Sequence, residues 1–171
     1  MSLLAGVTVL AVDTETTGMN PAQGARLVEV AHVAIVNGAL GAEWSSLIDP
    51  GCPIPPDATR VHGIRDDMVA GGPRPTEVGL TLRAACGELP MVFHNAPFDL
   101  PFLIQLFNEA GAPPLINPVI DTLGLARGLF GTGSNALGVL AKRLELPVET
   151  AHRGLGDTRT TARLFIELAG R

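Results

Sequence analysis

The sequence predicts an α/β domain, a mixed five-stranded sheet flanked by helices, on three observations. The apolar run at residues 7–12, VTVLAV, is rich in β-branched residues and too short for a typical helix, so it reads as a buried strand. Asn37-Gly38 lies between two partly alternating segments and is the strongest short hairpin signal in the chain. Beyond Pro75, short apolar runs alternate with helical patterns. Three consecutive strands followed by alternating helices and strands describe a mixed sheet with helices on its faces.

Taken in order, the first strand ends in a loop over 19–24, where Asn-Pro and Gly break regular structure. Strands are predicted over 26–36 and 39–48, joined at the Asn37-Gly38 turn. His32, among small apolar residues of the second strand, reads as structural. Residues 49–56 hold four prolines and read as irregular, leading into Val61-His62-Gly63-Ile64 and a short polar segment. A helix starts at Pro75-Thr76 and runs to about Gly87. A short strand over 91–94 ends at Asn95, and Pro97 opens a helix to about Ala110. Its apolar side (Phe98, Phe102, Leu103, Leu106, Phe107) reads as core, including Gln105-Leu106-Phe107, a faint clamp-binding pattern. Val119-Ile120 is the last short strand, with Asp121 as N-cap of the helix that follows. A helix over 136–144, capped by Ser134 or Asn135, precedes Pro147. A loop then holds His152, and a closing helix covers 155–168.

At 171 residues and 46% apolar, the chain makes one domain with a substantial core, and no apolar run reaches membrane-spanning length. The apolar start carries no basic leader region and reads as a strand, not a signal peptide. With only Cys52 and Cys86, a disulfide framework is not expected and a cytoplasmic location is. The net charge of −5 argues against a protein that grips long duplexes electrostatically. The argument weakens if several acids belong to a metal site, and contact with a few nucleotides at a strand end stays compatible.

Asp13 and Glu15 stand two residues apart where the first apolar run stops. A strand places both on one face, where they repel each other and resist desolvation. A hard divalent cation compensates such a pair. A polar strand end running into the turn at Gly18 is the plainer reading. Asp99 and Asp157 fall in the first turns of their helices, where the helix dipole alone favours acids, and His152 alone would be a loop histidine.

Taken together, DTETTG, HNAPFD and HRGLGD, in this order and at these separations, resemble the three motifs of the DEDDh (DnaQ-like) 3′→5′ exonucleases. This RNase H-like group contains the epsilon proofreading subunit of bacterial DNA polymerase III. The VHGI segment, the DTL after the fifth strand and NALGVLAKRLEL resemble the family's intervening segments, so the likeness covers roughly residues 7–168. It implies an RNase H-like exonuclease domain over 1–171 that releases nucleoside 5′-monophosphates from DNA 3′ ends in proofreading or repair. It further implies two Mg²⁺ ions, for which Mn²⁺ can substitute, held by Asp13, Glu15 and Asp157, with Asp99 completing the set and His152 as general base. The chemistry agrees: carboxylates scaffold paired divalent ions, and imidazole titrates near neutrality.

Substrate contacts expected on the same ground are Thr14, Thr16 and Thr17, whose backbone meets the terminal 3′-hydroxyl, and Asn95. His62 and Phe98 either stack the terminal base of a single or frayed strand or are purely structural. Two departures stand out. Pro101 lies inside the helix that carries Asp99 and puts its placement in doubt. The chain ends at Arg171, without the polymerase-binding tail with which the epsilon subunit continues. An exoribonuclease trimming RNA ends fits the same catalytic set, which does not read the sugar. A non-catalytic RNase H-like binding module is the alternative of another class; it would be free to lose the acids, and all five positions are present here.

Overall fold

A computed structural model describes residues 3–131, 133–147, 149 and 152–171. The first two residues of the apolar start therefore lie outside the described residues. Strand β1 (Thr8–Thr16) is central, and the sheet order is β3-β2-β1-β4-β5. It pairs antiparallel with β2 (Leu27–Val36), which pairs antiparallel with β3 (Ala39–Leu47) across the turn at Asn37-Gly38. Both turn residues take positive φ (54° and 78°), the geometry that Asn-Gly tolerates. On its other side β1 pairs in parallel with β4 (Met91–Phe93), and β4 with β5 (Val119–Asp121). The mixed sheet is the one predicted, but β1 runs further than its apolar stretch. Because β2 pairs along all of it, Asp13 and Glu15 lie within the strand rather than beyond its end.

The two faces of β1 build two cores. Leu10 and Val12 pack with β4 and with helices α3 (Pro75–Cys86) and α4 (Ala96–Glu109). Val9 and Ala11 pack on the opposite face against α7 (Gly154–Ala169). Asp13 and Glu15 share the parity of Val9 and Ala11 and so belong to the α7 face. Two short helices, α1 (Pro56–His62) and α2 (Asp66–Val69), occupy the segment expected to be irregular and polar. Both are too brief to show a period; Pro56 starts the first and Gly63, at φ 74°, ends it. Helices α5 (Thr122–Phe130) and α6 (Leu137–Arg143) close the far side. Ala136 is the N-cap of α6, not Ser134 or Asn135, because the Asn135 amide turns back to donate to the Gly131 and Gly133 carbonyls. Asp121 caps α5 as predicted, accepting from the Leu123 amide at 3.1 Å. His32 is buried against Trp44, with ring centroids 5.6 Å apart, and burial lowers its pKa, the state of a structural imidazole. Among the described residues no helix is long and apolar enough to cross a membrane.

Candidate active site

Strand parity sends Asp13 and Glu15 toward α7, and the first turn of α7 returns Asp157 to them. One carboxylate oxygen from each of the three lies within 4.8 Å of the others. Burial is the first reason that all three resist ionisation, and neighbouring carboxylates add to it. Asp13 is pushed well above the usual carboxylate range by burial, then by Asp99, Glu15 and Asp157. Glu15 rises to about 8, through burial and then the charges of Asp157 and Glu29. Asp157 also rises through burial, against the opposing hydrogen bond from His152. Carboxylates gathered this way fit a hard cation, which takes oxygen donors and reverses the repulsion.

Asp99 is not one of the three converging acids. It is 4% exposed, and α4 continues unbroken past Pro101, so the proline leaves Asp99 buried beside the cluster. Strand β4 pairs with β1 only at Leu10 and Ala11, which leaves the backbone beyond without a strand neighbour on that side. Thr14 fills the gap: its hydroxyl donates to Asp99 Oδ1 at 2.6 Å, and its amide also bonds the carboxylate. Burial nevertheless raises Asp99 to about 7. His152 stands on the solvent side, exposed, at φ 56°. Its amide donates to Asp157 Oδ2 at 2.9 Å, tying the imidazole-bearing residue to the carboxylate.

A cavity of about 850 Å³ opens beside the acids. Asp13, Asp157 and His152 form one wall; Asn95 and Phe98 belong to the lining as well. Asn95 caps α4 at φ 77°, and its amide donates to Asp121 Oδ1 at 2.8 Å. Phe98 is partly exposed and packs on Phe102. The remaining predicted contacts lie off this cavity. The Thr16 hydroxyl donates to the Gly18 carbonyl at 2.7 Å, and the Thr17 hydroxyl accepts from the Arg26 amide at 2.9 Å. His62 is buried, with Nδ1 accepting from the Ile64 amide and Nε2 3.2 Å from the Thr16 carbonyl oxygen. Its imidazole thus fixes the backbone beside Thr16.

The family profile described as Exonuclease matches residues 10–165. The chain belongs to the exonuclease family. A DNA polymerase III subunit epsilon of Rickettsia felis is 33% identical over 166 residues, covering 93% of this chain and 72% of that protein. A DNA polymerase III subunit epsilon-like protein of Rhodobacter capsulatus is 41% identical over 167 residues, but this chain spans only 24% of its length. Among solved structures, Exonuclease X in complex with 5′ overhanging duplex DNA matches with a TM-score of 0.77 and 32% identity, covering 94% of this chain and 90% of that one. The exonuclease fold, five mixed strands flanked by helices, is the RNase H-like architecture the three motifs implied.

Further polar residues with no signal in the sequence lie against the candidate site or brace the elements around it. Glu29, on β2 directly across from Glu15, is 4% exposed. It accepts from the Gly154 amide at 2.9 Å and from the Arg153 guanidinium at 3.3 Å and 3.4 Å. A Cβ at Gly154 would sit 3.2 Å from the Glu29 side chain, so glycine lets the start of α7 lie on this carboxylate. His94 bridges the Thr122 hydroxyl at 2.9 Å and the Asn135 carbonyl at 3.0 Å, joining β4 to the α5–α6 connection. Glu29 in LVEVAHV gave no signal beyond one acid in an apolar strand; only its register against Glu15 exposes it.

Proposed function

We propose that these 171 residues form one exonuclease domain that hydrolyses DNA from its 3′ end and releases nucleoside 5′-monophosphates. The carrying observation is the convergence of Asp13, Glu15 and Asp157 within 4.8 Å, with His152 tied to Asp157 on the solvent side. Asp13, Glu15 and Asp157 would hold divalent cations, Mg²⁺ or Mn²⁺, with Asp99 supporting Asp13 from the β4 side. Bound there, two such ions activate water and stabilise the leaving oxygen of a phosphodiester. His152 takes the proton from the attacking water, approaching from solvent as a general base must. The backbone around Thr14 to Thr17, braced by His62, receives the terminal 3′-hydroxyl, while Phe98 and Asn95 contact the terminal nucleotide. A buried acidic site in a chain of net charge −5 favours single or frayed ends over intact duplex. The epsilon names of the relatives support proofreading beside a polymerase in the cytoplasm as the setting.

One assay tests this reading: single-stranded DNA, a mispaired duplex and RNA of equal length, each with Mg²⁺, resolved by product size. Faster shortening of single-stranded and mispaired DNA than of RNA is expected. Equal or faster shortening of RNA would make the chain an exoribonuclease, and no shortening of any substrate would leave only a binding module.

A further inference from the structure

Among the described residues that line the cavity beside the acids, Arg127 is the guanidinium, sharing the lining with the carboxylates of Asp13 and Asp157. Among the described residues seven arginines are ion-paired with carboxylates, and Arg74, Arg83, Arg127 and Arg143 are in no ion pair. Arg83 donates to backbone carbonyls and Arg143 lies over the Phe130 ring. Arg127 has no carboxylate partner among the described residues, in a protein with 17 acids. Its direction is set by the register of α5. Thr122 and Ala126 are fully buried, and Ala126 packs toward α7 with Leu140 and Leu164. Leu123 and Arg127, one turn apart, form the stripe that lines the cavity. Asp121 pins the start of this helix to both Leu123 and Asn95, and His94 pins its neighbouring connection, so Arg127 projects from a braced frame.

Thr14, Thr16, Thr17 and His62 lie off the cavity, on the side proposed for the 3′ terminus, while Arg127 lies within it. Asn95 and Phe98, proposed to contact the terminal nucleotide, line the same cavity, so a strand whose terminal linkage sits at Asp13 and Asp157 has the stretch lined by Leu123 and Arg127 of α5 left for the nucleotides that precede it. The nearest anionic groups of those nucleotides are the internucleotide phosphates.

We propose that Arg127 is a phosphate-binding residue, receiving a phosphodiester group on the 5′ side of the scissile linkage. The inference rests on the exonuclease reading. It explains why a guanidinium without an ion pair lines the cavity that Asp13 and Asp157 also line: its counter-charge is the substrate backbone. The competing role, favourable placement in the last turn of a helix, is a small surface effect and makes no contact with substrate.

The test compares two substrates, a single-stranded oligodeoxynucleotide and the p-nitrophenyl ester of thymidine 5′-monophosphate, which has one phosphodiester and nothing on its 5′ side. Arg127→Ala should raise KM on the oligonucleotide about 10- to 100-fold, the loss expected for a hydrogen bond to a charged group. The effect on the small ester should be at least tenfold smaller, and the salt dependence of oligonucleotide binding should fall by about 0.7 in log–log slope. Arg127→Lys should recover part of the slope and less of the KM, since a point charge replaces the bidentate fork. Binding measured by fluorescence anisotropy in Ca²⁺ gives the same comparison without turnover. An unchanged oligonucleotide KM and slope, or equal loss on both substrates, would overturn the proposal. A parent that hydrolyses neither substrate would overturn the exonuclease reading instead, and the anisotropy titration would still decide the role of Arg127.

Discussion

Glu15→Gln gives the sharpest physical test of the buried acids. In the metal-free protein Glu15 titrates at about 8 instead of 4.5, so between those values the folded chain holds a proton that the unfolded chain has lost. Such a group favours folding at low pH, and its contribution is lost as pH rises toward 8. Burial shifts His32, His62 and His94 the other way, so they stabilise the fold as pH rises, an effect that is complete only by about pH 7.5. Because Glu15→Gln keeps these histidines, the difference between parent and variant over the window from pH 6.5 to 8.5 isolates Glu15. Across it, linkage at 1.36 kcal/mol per unit gives a loss of about 2 kcal/mol from Glu15 alone. For a chain of this size that lowers Tm by about 4–8 °C. Thermal melts in chelator should show this fall in the parent, a much flatter profile in Glu15→Gln, and a variant that melts above the parent at pH 8.5. Adding Mn²⁺ should restore the parent at pH 8.5 and help the variant far less. A parent whose metal-free Tm keeps level with that of Glu15→Gln from pH 6.5 to 8.5 would refute the claim that burial and neighbouring carboxylates hold Glu15 protonated in the folded chain.

Asp13→Asn should abolish hydrolysis at every Mg²⁺ concentration and keep a native circular-dichroism spectrum, because relief of like charge favours the fold. His152→Ala should lose about 10²–10⁴-fold in kcat with Mn²⁺ affinity near that of the parent. Asp157→Ala should weaken Mn²⁺ binding itself, and equal loss of affinity in both variants would remove His152 as the base. Glu29→Ala frees Gly154 and Arg153 together, so kcat should fall about 10- to 100-fold, with Glu29→Gln intermediate because its amide oxygen still accepts from Gly154. Activity in Glu29→Ala equal to the parent would show that α7 holds Asp157 without help from β2.

The parts legible in the sequence are those with a short period or a strong local rule. The parity of Asp13 and Glu15 follows from strand geometry, and Asn37-Gly38 marks its hairpin with backbone chemistry alone. Asp121 announces its cap because the helix begins at the next residue. Asp99 and Asp157 were different: each passes for an ordinary first-turn acid, and only the ordered motifs linked them to Asp13. What stayed hidden depends on tertiary register. Glu29 matters because antiparallel pairing sets it opposite Glu15, across a separation no local pattern records. Arg127 needed knowledge of which α5 face is buried. The cap of α6 was missed because Asn135 satisfies two carbonyls behind it instead of the helix ahead. Helices α1 and α2 were missed because seven and four residues are too few to display a helical period.

The most direct test of the central claim follows one DNA strand by its ends. A single strand labelled at its 5′ end, incubated with Mg²⁺, should give a ladder that shortens one nucleotide at a time from the 3′ end while the label stays on the longest remaining product. The released material should be nucleoside 5′-monophosphates, and a strand with a blocked 3′ terminus should persist. Early release of the label as a mononucleotide, internal fragments, or nucleoside 3′-monophosphates would contradict the assignment of these acids and His152 to a 3′→5′ exonuclease.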